Sequence, residues 1–77
     1  MDKSIQVRIG ELAKEIQKLN KEIYSIEDQI EIIVKNKNKR QAPKLFNLME
    51  KNTLNKSNFM YKVAMYDLLI KFYEPLN

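Results

Sequence analysis

Apolar residues recur through the first half of the chain at Ile5, Ile9, Leu12, Ile16, Leu19, Ile23, Ile26, Ile30 and Ile33. The steps alternate between four and three residues without a miss. This is the narrow seam of a coiled coil rather than the broader stripe of an ordinary globular helix. It predicts one helix over residues 4–36, on the order of 50 Å long at 1.5 Å per residue. With Ile9 at heptad position a, Gly10 falls at an outer position, where it weakens helix propensity without removing a core contact.

The pattern lapses over residues 35–44, Lys-Asn-Lys-Asn-Lys-Arg-Gln-Ala-Pro-Lys. Asparagine is a poor helix former, and Pro43 disfavours helical geometry at Ala42. A basic loop over 37–43 is expected, with Pro43 near the first turn of the next helix. Leu45, Phe46, Leu48 and Met49 then make an amphipathic turn or two. Residues 52–58 are poor in helix formers, and Ser57 or Asn58 suits an N-cap. The expectation is therefore two helical segments, 44–52 and 57–73, with Glu74-Pro75 as the stop. In the second, Phe59, Val63, Tyr66, Ile70 and Tyr73 resume the four-three spacing.

The two seams suit each other. If the loop near residue 39 reverses the chain, facing positions sum to about 78. Phe59 then meets Leu19, Val63 meets Ile16, Tyr66 meets Leu12, Ile70 meets Ile9 and Tyr73 meets Ile5, with Lys62 beside Glu15. A parallel homodimeric zipper of the first helix fits less well. Its flanking pairs would be Arg8 with Ala13, Glu15 with Asn20, Glu22 with Glu27 and Gln29 with Val34, of which none attracts and one repels. The predicted fold class is all-α: a single domain over 1–77, built as a long helical hairpin with a coiled-coil seam. Met65, Leu69 and Phe72, widened by Met60 and Leu68, form a second apolar stripe that a two-helix hairpin does not bury. Dimerisation into a four-helix bundle, or a foreign protein partner, is expected to cover it.

Composition narrows the chemistry. Seventy-seven residues supply only a marginal core, and small chains commonly add disulfides, metals or oligomerisation. The chain has no cysteine and no histidine. That removes disulfides, thiolate metal sites, the commonest metal ligand and the commonest general base. No cofactor, metal or catalytic residue is expected, and the chain reads as no enzyme. Glu22, Glu27, Asp28 and Glu31 lie off the seam and read as a solvated face. Arg8 and Arg40 stand too far apart in a hairpin to converge on an anionic substrate. No signal peptide and no run approaching about 20 apolar residues is seen, so a cytoplasmic location without a membrane span is expected. The abundance of Lys, Asn and Ile suits an AT-rich genome, bacterial or phage.

Net charge is +4, but it is uneven. Residues 1–34 carry five basic and seven acidic side chains; residues 35–56 carry seven basic and one acidic. Lys35, Lys37, Lys39, Arg40 and Lys44 are therefore candidate contacts for phosphate or an acidic surface. The run is short, has one guanidinium and lacks a base-stacking platform, so it suits the solvated tip of a hairpin better. The function expected is protein–protein interaction by a small assembly, chaperone-like or inhibitory subunit. Met60, Met65, Leu68, Leu69 and Phe72 are its candidate contact residues. The alternative is a dimer that binds nucleic acid through 35–44.

Overall fold

A computed structural model describes residues 3–73. The chain runs through helix α1 (Lys3–Asn36), a 3-10 turn (Lys39–Gln41) and helix α2 (Ala42–Tyr73). The two helices lie against each other in a body 57 × 21 × 14 Å. Its radius of gyration is 17.3 Å, against about 11.5 Å for a globular chain of this length. The predicted all-α helical hairpin is the fold.

α1 takes its shape from the seam. All nine seam residues are buried or half-buried, and Leu12, Leu19, Ile23, Ile26 and Ile33 are the buried apolar core. At full burial an Ile or Leu side chain is worth about 1.5–3 kcal/mol, far above the few tenths that separate helix propensities. The seam, not propensity, holds so long a helix. The reversal is built from capping groups. Lys37 ends α1 in a left-handed conformation (φ 51°), and its N–H donates to the carbonyl of Ile33 at 3.1 Å. Asn38 caps the following turn, its Oδ1 accepting from the Arg40 N–H at 3.0 Å. Left-handed geometry favours Gly over a residue with a Cβ. Lys37→Gly should therefore raise stability by about 1 kcal/mol in urea titrations.

α2 is a single helix. The break expected between 52 and 57 is absent, and residues 52–56 are helical throughout. Packing overrides propensity there. Asn52 is buried and Asn55 half-buried against α1, while the Thr53 hydroxyl donates to the Met49 carbonyl at 3.0 Å. The helix leaves the turn with Ala42, and Pro43 sits in its first turn, where no N–H is required. The expected stop at Glu74-Pro75 lies outside the described residues.

The inner face of α2 follows Leu45, Leu48, Asn52, Asn55, Phe59, Lys62, Tyr66, Leu69 and Tyr73, all buried or half-buried. The steps again alternate three and four. The register is close to the expected sum of 78. Lys62 donates to Glu15 at 2.6 Å; Asn55, Asn58 and Lys62 share one hollow with Glu15, Leu19 and Glu22; and Ile33 and Leu45 line another beside the turn. One detail differs from expectation. Leu69 is half-buried while Ile70 lies at the surface, because Lys62 takes a seam position and sets a phase that brings 66, 69 and 73 inward.

Candidate interaction surface

α1 is apolar on one side. α2 is apolar on two. Away from α1 it exposes Phe46, Met49, Leu54, Met60, Tyr61, Leu68 and Phe72, from 48% at Met49 to 79% at Phe72. Leu54, Tyr61 and Leu68 recur every seven residues, with the small Ser57 and Ala64 between them. Together they form a stripe along almost the whole helix. With aromatic side chains presenting about 150–250 Å² each when fully exposed, the stripe offers on the order of 1,000 Å². Isolated exposed apolar residues are ordinary, whereas a contiguous patch above a few hundred Å² marks a contact surface. The exposed apolar residues of α1, Val7, Tyr24, Ile32 and Val34, make no such line.

The N-terminal part of the stripe holds a shallow open groove of about 540 Å³, lined by Phe46, Met49, Glu50, Thr53 and Leu54. Its polar groups are one carboxylate and one hydroxyl, and the Thr53 hydroxyl is already spent on the helix backbone. Nothing in it resembles an acid–base pair. Among the described residues no group of three or more Asp or Glu side chains is placed to hold a metal ion.

Of the residues singled out from the sequence, Met60, Leu68 and Phe72 lie on this outward stripe. Met65 and Leu69 are half-buried, Leu69 on the inner seam. Phe46, Met49, Leu54 and Tyr61 complete the stripe; continuing the seven-residue repeat of Leu68 backwards reaches Tyr61 and Leu54 but not Phe46 or Met49. The cations Lys35, Lys37, Lys39, Arg40 and Lys44 are all exposed at the hairpin tip. Lys35 is paired with Glu31 at 3.0 Å.

Two ion pairs tie the helices together across their flanks. Lys62 holds Glu15 at 2.6 Å, and Lys56 holds Glu27 at 3.0 Å. The Lys62 hydrogen bond, aided by its charge and that of Arg8, keeps the Glu15 carboxyl below its usual range. The Lys56 hydrogen bond and charge do the same for Glu27, with the Asn52 amide adding to them. A carboxyl whose folded pKa lies below its unfolded value stabilises the fold above the unfolded pKa, about 4.3 for Glu, and that contribution is lost as pH falls through the folded pKa. The thermal midpoint should therefore fall as the pH drops below the ordinary glutamate range. Glu15→Gln/Glu27→Gln should flatten that fall in calorimetric scans.

No protein-family model, curated protein or solved structure matches the chain. The functional reading therefore rests on the surface itself.

Proposed function

We propose that the protein is a non-enzymatic protein–protein interaction module, a small assembly, chaperone-like or inhibitory subunit that works through the outward face of α2. The observation that carries this reading is the continuous apolar stripe on a helix whose other face is already used by α1. Burying one Leu or Phe gains about 1.5–3 kcal/mol, and a chain this small has few other sources of stability. Met49 and Met60 give the surface adaptable, unbranched side chains, which suit a partner-binding face. Among the described residues no helix is long and apolar enough to cross a membrane, so the stripe is not part of a spanning segment.

Salt is the simplest discriminator. Association through an apolar face should persist from about 0.1 M to about 1 M salt, where the Debye length shrinks from about 10 Å to about 3 Å. Binding of a polyanion at the lysine-rich tip would collapse over the same range. The substitutions Leu54→Glu and Leu68→Glu, made together, should abolish the salt-tolerant association while helical circular dichroism is retained. Replacing Lys37, Lys39 and Arg40 by Gln should leave it intact. The opposite pattern would refute the interaction reading in favour of the tip.

A further inference from the structure

We infer that the outward face of α2 is covered by the same face of a second copy, running antiparallel, with the two-fold axis passing between Ser57 and Tyr61. The inference rests on reading that face as an interaction surface and names its occupant.

Three features of the stripe point to self-pairing. The first is alternation of size. Large side chains at Leu54, Tyr61 and Leu68 alternate with small ones at Ser57 and Ala64. An antiparallel pairing in which facing residues sum to 118 sets Leu54 against Ala64 of the second copy and Tyr61 against Ser57. Leu54 and Tyr61 then each fill the space beside a small side chain, which close packing favours. A parallel pairing sets Leu54 on Leu54 and Ala64 on Ala64, crowding one layer and emptying the other.

The second is charge. Glu50 stands near the start of the stripe and Lys71 near its end, both exposed. Neither is in an ion pair among the described residues, whereas Glu15, Glu27, Lys56 and Lys62 all are. The antiparallel register carries Glu50 one layer from Lys71 of the second copy, and two-fold symmetry makes the contact twice. A parallel register brings like charges together at both ends. Glu50 also faces Leu68 in the antiparallel register, near the solvent-facing ends of the contact.

The third is extent. The stripe offers on the order of 1,000 Å² per chain, and a stable interface needs about 800 Å² per partner. A two-fold contact uses one stripe for both partners, so no additional patch is required. The product is a four-helix arrangement with the two α2 helices inside and the α1 helices outside.

Cysteine crosslinking tests occupant and direction together, because the chain has no cysteine of its own. Leu54→Cys and Ala64→Cys proteins are prepared separately, then mixed under mild oxidation. The antiparallel register places positions 54 and 64 opposite each other. It holds each about 15 Å along the axis from its own counterpart, at 1.5 Å per residue. Mixed disulfide should exceed either symmetric disulfide at least ten-fold. Glu50→Lys and Lys71→Glu should each weaken the dimer several-fold in sedimentation, and the combined variant should recover it. Symmetric disulfides in excess, with no recovery in the combined variant, would overturn the antiparallel pairing. No disulfide, with the wild type monomeric at about 100 µM, would overturn self-association altogether. That result would leave open a different protein on the same face, and the interaction reading would fall only if Leu54→Glu/Leu68→Glu altered no association of any kind.

Discussion

Leu12→Ala should destabilise the hairpin by about 2–5 kcal/mol, the range for removing a fully buried leucine. Among the described residues, Leu12 is the one large side chain with no exposed surface. It lies on the α1 seam one turn from Glu15, which Lys62 of α2 contacts. Two helices cannot collapse sideways to refill the space without giving up the seam on either side, so the cavity term adds to the lost burial. Small domains hold only about 5–15 kcal/mol in total. The substitution should move the urea midpoint sharply downward, and at the upper end of the range it unfolds a marginal chain. Val7→Ala, on the exposed side of the same helix, should change stability by within about 0.5 kcal/mol.

The opposite sign is expected at Asn52. Asn52 is the buried polar residue of the inner seam, 8% exposed, and its Oδ1 meets no hydrogen-bond donor among the described residues. Leaving a buried acceptor unsatisfied costs about 1–3 kcal/mol. Asn52→Leu removes that cost and adds apolar contact on a face that is already Leu45 and Leu48 toward the turn. The gain should be about 1–3 kcal/mol, a rise of roughly 4–8 °C in thermal midpoint per kcal/mol for a chain of this size. The substitution also removes the amide beside Glu27, whose carboxyl should then move back up toward its usual range; Lys56 still holds it. A fall in midpoint would mean that the Asn52 amide is satisfied in solution and that the seam depends on it. A polar residue in an apolar seam also fixes register, so the Leu variant should be checked for alternative pairings by the same crosslinking approach.

The legible part of this fold was the half written in apolar residues. The α1 seam runs nine residues without a miss, and every one of them is buried or half-buried. The reversal followed from the lapse of the pattern over 35–44, and the register from folding the chain about residue 39, which sets Lys62 beside Glu15. What failed to show was the half written in polar residues. Asn52, Asn55 and Lys62 hold seam positions in α2. A search for apolar periodicity steps over them, reads a gap at 52–58 and resumes out of phase at Ile70 instead of Leu69. Their side chains are tolerated inside because a two-helix seam is close to solvent: Lys62 reaches Glu15 at its edge, and Asn55 borders an open hollow. The same phase error hid half of the outward stripe. Leu54 falls in the break expected between the two helical segments, so the apolar pattern points to the outward stripe only at Met60, Leu68 and Phe72.

Sedimentation equilibrium on the wild type and on Leu54→Glu/Leu68→Glu tests the central claim most directly. At about 100 µM the wild type should sediment as twice its 9.2 kDa chain mass. The variant should sediment at the chain mass with unchanged helical circular dichroism, because both substituted side chains lie on the outward face, 71% and 68% exposed. A variant that keeps the dimer mass, or a wild type that stays at the chain mass throughout, would contradict the account.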